Sequence, residues 1–227
     1  MLIRIPDVLS KDELAEARTV LGASDWIDGK ATAGVQSGEA KHNLQVPETA
    51  PQARRLGETI LKALGRSALF NAAALPLRVF PPLFNRYDEG MKFDPHVDNA
   101  IRFVPGANVR VRTDISATLF LSEPADYDGG ELVVEDTYGT SVVKLPAGHM
   151  VLYPATSLHR VTPIKRGSRW ASFFWIQSMV KDDGKRRDLF ELDRAIAETR
   201  GSLGDAHHAS VALTSVYHNL LRRWSEL

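Results

Sequence analysis

The sequence of 227 residues contains no cysteine, which excludes disulfide bridges, thiolate metal sites and a cysteine nucleophile. It also lacks any run of about 18 apolar residues, which argues against a transmembrane helix. No apolar segment follows a basic one near the N-terminus, so we expect no signal peptide and a cytoplasmic protein. Acidic and basic residues balance at 28 each, and this balance indicates neither a nucleic-acid partner nor a membrane surface.

The composition is that of a folded protein, with 44% hydrophobic and 25% charged residues. The residue patterns divide the chain into three parts. Residues 1–75 are predicted to form a helical supporting segment, residues 76–178 a β-rich core, and residues 179–227 a helical extension. In the extension, apolar residues recur at helical spacing: Leu189, Leu192, Ile196, Val216, Leu220 and Trp224.

Two helices are predicted before residue 76. Ser10 and Glu13 form a capping-box pattern, in which each side chain satisfies the other residue's backbone amide, and Gly22 marks the end of the first helix. The second helix begins near Pro51, which is tolerated in a first turn, and ends at Gly65. These helices are expected to flank the β-rich core.

The core is predicted to be a mainly β sandwich or jelly roll, because short β-rich runs alternate with Gly, Pro and Asp turns. The runs are Leu77–Phe80, Leu83–Tyr87, Ser116–Leu121, Leu132–Glu135, Ser141–Leu145, Met150–Tyr153, His159–Val161 and Trp170–Ile176. The segment Asn99–Asp114 is interpreted as a long loop that covers a site and selects the substrate.

His96 and Asp98 are separated by one residue, so on a strand both side chains face the same side and converge on one ion. His159, on a later predicted strand, is the candidate third ligand. Two imidazoles and one carboxylate form a facial triad that suits Fe(II) and leaves coordination positions open. Copper and zinc accept the same ligands, so the metal stays open on this ground alone.

Arg169 follows His159 by ten residues, and strand alternation places it with Ala171 and Phe173 on the inner face of its strand. A turn around Gly167 is expected to bring this strand back beside the His159 strand. A buried guanidinium needs an anion, and its fork matches a carboxylate. An ordinary salt bridge is the alternative interpretation.

Together these residues resemble the Fe(II)/2-oxoglutarate-dependent dioxygenases, and within them the prolyl-4-hydroxylase-like group of PKHD-type hydroxylases. The similar stretches are Phe84–Tyr87, His96–Asp98, Leu119–Pro124, Asp128–Leu132 and Pro154–Val161. The resemblance spans nearly the whole chain, including the helical extension. It implies a double-stranded β-helix, a cupin-like jelly roll, with iron bound by His96, Asp98 and His159.

The resemblance also implies the reaction. 2-Oxoglutarate, held by Arg169 and by the Tyr87 phenol, and O2 are consumed while a substrate is hydroxylated and succinate and CO2 are released. L-Ascorbate is expected as a reductant. For Tyr87 the alternative is a core aromatic residue with a locally satisfied hydroxyl.

Several interpretations stay open from the sequence. The substrate is either peptidyl or a small molecule. The alternatives to a hydroxylase are a metal- and 2-oxoglutarate-binding sensor without turnover and a cupin-like metalloenzyme of another reaction type. The helical extension either covers the site or joins two copies in a homodimer, because its apolar faces must pack against something.

Overall fold

The computed structural model describes residues 1–32, 40–137 and 139–227. The strands, in chain order, are β1 (Ile3–Ile5), β2 (Ile27–Asp28), β3 (Lys41–His42), β4 (Leu44–Gln45), β5 (Pro76–Val79), β6 (Leu83–Tyr87), β7 (Lys92–His96), β8 (Ile101–Phe103), β9 (Arg110–Arg112), β10 (Ile115–Phe120), β11 (Tyr127–Gly129), β12 (Leu132–Asp136), β13 (Gly139–Val143), β14 (Met150–Pro154), β15 (His159–Val161), β16 (Ile164–Gly167) and β17 (Arg169–Ser178). The α-helices are α1 (Lys11–Gly22), α2 (Pro51–Arg66), α3 (Ala68–Ala74), α4 (Asp183–Leu203) and α5 (His208–Trp224).

Two antiparallel sheets face each other. The larger has the order β1-β14-β10-β17-β6-β4-β2, with β5 paired to β17, and the smaller has the order β13-β12-β15-β7-β3. Two short ribbons, β11-β16 and β8-β9, complete the β-structure of the described residues. This mainly β arrangement with flanking helices confirms the predicted jelly roll.

Strand alternation gives the larger sheet two apolar faces. On β10, Ala117 and Leu119 belong to the core beneath the N-terminal helices, whereas Phe120 belongs to the core between the sheets. Both faces are covered, so β10 is buried at every position. The space between the sheets is where the candidate site lies.

The N-terminal helices follow the sequence prediction. At α1 the Ser10 amide donates to the Glu13 carboxylate (2.9 Å) and the Glu13 amide donates to Ser10 Oγ (3.2 Å). The apolar face of α2, which includes Leu56, Ile60 and Leu64, is buried against the sheet. None of the helices in the described ranges is both long and apolar enough to cross a membrane.

The predicted pairing of the Arg169 strand was wrong. That strand, β17, pairs with β10, β6 and β5 in the larger sheet, whereas β15, which carries His159, pairs with β12 and β7 in the smaller one. The intervening β16 pairs with β11, and Gly167, at φ +77°, then turns the chain into the opposite sheet. Arg169 therefore faces the His159 strand across the interior.

The interpretation of Asn99–Asp114 as a loop was wrong in part, because six of its residues form the paired strands β8 and β9. Arg102 on β8 lies over the Trp175 ring at 4.5 Å, and Arg110 on β9 lies over Phe103 at 5.1 Å. Arginine and apolar residues alternate along β8 and β9. This alternation is typical of a ribbon that packs one face against the core.

Candidate metal centre

The two histidines lie side by side at the ends of neighbouring strands. His96 on β7 is the cross-strand partner of His159 on β15, and their ring centroids are 4.2 Å apart. Strand β7 ends at His96, so Asp98 follows the strand rather than belonging to it, in contrast to the prediction. The nearest donor atoms of His96, Asp98 and His159 nevertheless lie within 4.8 Å of one another.

Backbone and side-chain hydrogen bonds orient all three groups. His96 Nδ1 lies 2.8 Å from the Asp94 carbonyl and His159 Nδ1 lies 3.0 Å from the Ser157 carbonyl, so each Nδ1–H donates and each Nε2 is left for a metal. Ser116 Oγ donates to Asp98 Oδ2 at 2.5 Å. His159 Nε2 lies 3.7 Å from the same carboxylate oxygen.

Burial favours the ligating form of the imidazole. It lowers the pKa of His96 to about 4, and the neighbouring His159 acts in the same direction. A neutral imidazole is the form that binds a metal. Two such nitrogens and one oriented carboxylate therefore fit a divalent transition metal and occupy only one side of it.

The two histidines of this triad line a pocket between the sheets. Its lining residues are Lys41, Asn85, Tyr87, Phe93, His96, Thr118, Leu132, Tyr153, His159, Val161, Arg169 and Phe173. The residues expected from the sequence, His96, His159, Arg169 and Tyr87, are thus brought together around one space. The other lining residues are mixed, with polar groups on Lys41, Asn85, Thr118 and Tyr153 and apolar side chains at Phe93, Leu132, Val161 and Phe173.

Arg169 is only 1% exposed. Its guanidinium carbon lies 5.2 Å from the Phe120 ring centroid and 5.4 Å from that of Tyr87. Among the residues that the structure describes, no carboxylate forms a salt bridge with it, and its Nε has no hydrogen-bond partner. The buried Asn85 Oδ1 in the same pocket is also without a partner. Unpaired buried polar groups are costly, so the pocket fits a polar, anionic ligand.

Tyr87 is the cross-strand partner of Arg169. Burial raises its pKa to about 12, so the phenol stays protonated and can donate a hydrogen bond. The ring of Tyr153 lies 5.0 Å from that of His159, and burial raises the pKa of this phenol as well. Both phenols therefore offer uncharged donors to the pocket.

Lys41 and Asn85 are pocket residues that the sequence reasoning missed. Asn85 lies in the stretch Phe84–Tyr87, where the sequence analysis assigned a role only to Tyr87. Lys41 lies in residues 1–75, which were predicted to be a supporting segment. One signal was present: Lys41, Asn43 and Gln45 alternate with other residues at a spacing of two, and all three are buried. Polar residues at this spacing are typical of a strand that faces a polar interior.

The remaining histidines lie elsewhere. His149, which stands near a glycine turn, lies 3.5 Å from the Asp7 carboxylate. No second group of three metal-ligating side chains occurs in residues 1–32, 40–137 and 139–227. A wider apolar cleft between α2 and residues 104–106 contains none of the triad.

Solved structures share this fold. A prolyl-4-hydroxylase from Pseudomonas putida matches with a TM-score of 0.52 and 22% identity, covering 78% of this chain and 92% of that one. A prolyl hydroxylase from Trichoplax adhaerens, in complex with a hypoxia inducible factor peptide fragment, gives 0.56 and 14%, covering 83% and 86%. HygX from Streptomyces hygroscopicus, with nickel, 2-oxoglutarate and hygromycin B bound, gives 0.52 and 16%, covering 78% and 82%.

Sequence comparison identifies the family. Residues 82–177 match the 2OG-Fe(II) oxygenase superfamily model, and residues 183–226 match the PKHD-type hydroxylase C-terminal domain. PKHD-type hydroxylases from Methylobacterium nodulans and Gluconobacter oxydans are each 64% identical over 227 residues, the full length of both chains. One from Paracoccus denitrificans is 58% identical over 226 residues. The chain belongs to the PKHD-type hydroxylases of the 2OG-Fe(II) oxygenase superfamily.

Proposed function

We propose that His96, Asp98 and His159 bind one Fe(II) and that Arg169, with Tyr87, binds the far carboxylate of 2-oxoglutarate. The chain then uses O2 to hydroxylate a C–H bond of a substrate and releases succinate and CO2. The observation that carries this proposal is the buried Arg169 guanidinium, whose Nε has no hydrogen-bond partner among the described residues and which lines the same pocket as His96 and His159. L-Ascorbate is proposed as the reductant that keeps the iron ferrous.

The residues of the chain supply geometry and surroundings. Ser116 fixes the Asp98 carboxylate, and the Asp94 and Ser157 carbonyls fix the two imidazoles. When bound, the iron supplies the activation of O2 that hydroxylation needs. The guanidinium orients the cosubstrate by a bidentate contact, and the side chains of Phe93, Leu132 and Val161 cover part of the pocket wall with apolar surface.

Two classes of substrate are compatible with this fold. Among the structural relatives, one is in complex with a peptide and another with hygromycin B. A jelly roll thus accepts both kinds of occupant, and the fold does not favour one. A peptidyl residue and a small molecule are both candidates.

The first test is an anaerobic titration of the protein with Fe(II) and 2-oxoglutarate, followed through the weak visible metal-to-ligand charge-transfer band. We expect a band in the wild type and a much higher 2-oxoglutarate requirement in Arg169→Ala. The matched control is Arg166→Ala, an exposed arginine three residues earlier that pairs with Asp128 at 2.8 Å. Bound iron without a band at any 2-oxoglutarate concentration would favour the cupin-like alternative.

A second test separates an enzyme from a sensor. Under air, the wild type is expected to form succinate slowly even without its substrate, and Asp98→Ala is expected to form none. His149→Ala, an imidazole outside the triad, serves as the control. A wild type that gives the anaerobic band and forms no succinate under any substrate screen would support the sensor.

A further inference from the structure

Tyr127 is a buried phenol in the interior between the two sheets. It lies on β11, is 0% exposed, and its hydroxyl has no hydrogen-bond partner among the residues that the structure describes. Buried tyrosine hydroxyls usually have a partner, because an unmade hydrogen bond in the interior is unfavourable. The unpartnered hydroxyl therefore points to a ligand as its acceptor.

Tyr127 lies beside Arg169. In the β11-β16 ribbon it is the cross-strand partner of Gly167, and Arg169 begins the next strand two residues later. The apolar cluster that contains Tyr127 also contains Tyr87 and Phe120, whose ring centroids lie 5.4 and 5.2 Å from the guanidinium carbon. Burial raises the pKa of the Tyr127 phenol and keeps it protonated, and the Arg169 charge acts against this increase, as a cation does at short range.

The Tyr127 ring is held by its neighbours. Lys144 Nζ lies 4.0 Å from the ring centroid and donates to the Tyr127 carbonyl at 2.7 Å. A Cβ at Gly130 would lie 3.0 Å from Tyr127 Cε2, so the chain packs closely against one edge of the ring. The hydroxyl therefore has a fixed direction, and little conformational freedom is lost when a ligand accepts its hydrogen bond.

Arg169 and Tyr127 offer donors that complement one acceptor group. A guanidinium has donors only, so it cannot accept the proton of the phenol. Arg169 Nε and the Tyr127 hydroxyl are both without a hydrogen-bond partner in the described ranges of the chain. A carboxylate has two oxygens with about four lone-pair sites, so it accepts from both groups at once.

We propose that the Tyr127 hydroxyl donates a hydrogen bond to the far carboxylate of 2-oxoglutarate, beside the Arg169 guanidinium. This inference rests on the proposed function, in which Arg169 binds that carboxylate. The guanidinium supplies the charge, and the phenol adds a directional donor without burying a further cation. In this role Tyr127 makes the site selective for a keto acid with a carboxylate at its far end.

The first test is anaerobic calorimetry on the Fe(II)-loaded protein with 2-oxoglutarate and with 2-oxopentanoate, which lacks the far carboxylate. Tyr127→Phe is expected to weaken 2-oxoglutarate about tenfold or more, since a hydrogen bond to a charged group is lost, and to leave 2-oxopentanoate unchanged. Arg169→Ala gives the reference pattern for a residue at that carboxylate. Tyr217→Phe, in the C-terminal apolar cluster, is the control.

Thermal unfolding of the ligand-free protein separates ligand binding from a structural role. Tyr127→Phe removes a hydroxyl that the fold does not satisfy, so the melting temperature is expected to stay the same or rise, while the increase caused by 2-oxoglutarate becomes smaller. A lower melting temperature without ligand would overturn the proposal, because the hydroxyl would then have a structural partner.

The calorimetry has two further outcomes that would overturn the proposal. One is an unchanged 2-oxoglutarate affinity in folded Tyr127→Phe, and the other is an equal loss for both ligands, which would place the phenol away from the far carboxylate. If Arg169→Ala keeps its selective effect in either case, the proposed function stands and this inference alone fails. Wild-type protein that binds neither ligand would contradict the proposed function and this inference with it.

Discussion

Single hydrogen bonds set the geometry of the triad, and Ser116 gives the sharpest case. Its hydroxyl holds Asp98 Oδ2 at 2.5 Å and is itself buried. Groups that orient a metal ligand typically change metal affinity by about 10- to 100-fold. We expect Ser116→Ala to weaken Fe(II) binding by that factor, as measured by anaerobic metal titration, with little change in melting temperature.

Ser122→Ala is the matched control for that measurement. Ser122 is also buried and donates to the Ser168 carbonyl at 3.2 Å, but it does not touch the triad. Equal iron affinities for the two variants would contradict the positioning role of Ser116.

His96 links the stability of the metal-free protein to pH. Its pKa falls from 6.5 to about 4 in the folded state, mainly through burial. Between pH 4 and pH 6.5 the unfolded protein therefore binds a proton that the folded protein does not. The free energy of unfolding is consequently highest above pH 6.5 and decreases as the pH falls towards 4. The slope is at most about 1.4 kcal/mol per pH unit for one proton.

Urea denaturation of chelator-treated protein at several pH values measures this slope. His96→Gln is expected to flatten the dependence in this window, whereas His149→Gln is expected to keep it. A slope that is the same in wild type and His96→Gln would refute the assignment.

Among the elements, the turn between β16 and β17 decides where Arg169 lies. Gly167 has φ +77°, and a Cβ there would lie 2.1 Å from the Asp126 carbonyl oxygen. Gly106 has φ +74° with nothing near its missing Cβ. We expect Gly106→Ala to cost about 1 kcal/mol for backbone strain alone, and Gly167→Ala to cost about 3 kcal/mol or more because the backbone must also move.

Denaturant unfolding of the two variants tests this comparison. The Gly167→Ala protein is also expected to bind 2-oxoglutarate more weakly, because the start of β17 shifts. Equal costs for the two glycine variants would show that the close approach to Asp126 is relieved without consequence.

The elements also show how far the sequence could lead. The structure places donor atoms of His96, Asp98 and His159 within 4.8 Å of one another, and this grouping was expected from the residue types together with the family resemblance. The sheet to which β17 belongs could not be predicted, because strand pairing depends on distant segments and the turn at Gly167 can lead into either sheet. Lys41 was missed because β3 and β4 have only two residues each, so the spacing of two shared by Lys41, Asn43 and Gln45 did not stand out as a strand.

Across the chain, the C-terminal helices complete a separate apolar cluster. Leu189 on α4 is fully buried with Leu75 and Val180, and residues of α5 pack around them. We expect Leu189→Ala to cost about 2–5 kcal/mol of unfolding free energy. Leu203→Ala, at 53% exposure on the same helix, is expected to change it by no more than about 0.5 kcal/mol.

Thermal unfolding measures both leucine variants. Because this cluster contains none of the triad, the iron affinity of the folded Leu189→Ala protein should equal that of the wild type. A fall in iron affinity together with stability would instead show that the C-terminal helices and the metal centre are energetically coupled.

The position of Trp175 gives the protein a built-in optical reporter. It is the cross-strand partner of Ser116, which holds Asp98, and its ring lies 5.7 Å from that of Phe173 in the pocket wall. Trp26 and Trp170 pack together at 5.7 Å on the helix-covered side of the sheet, and Trp224 lies in the C-terminal cluster. A paramagnetic ion at the triad should therefore quench the emission of one tryptophan selectively, so that metal loading can be followed by intrinsic fluorescence without any label.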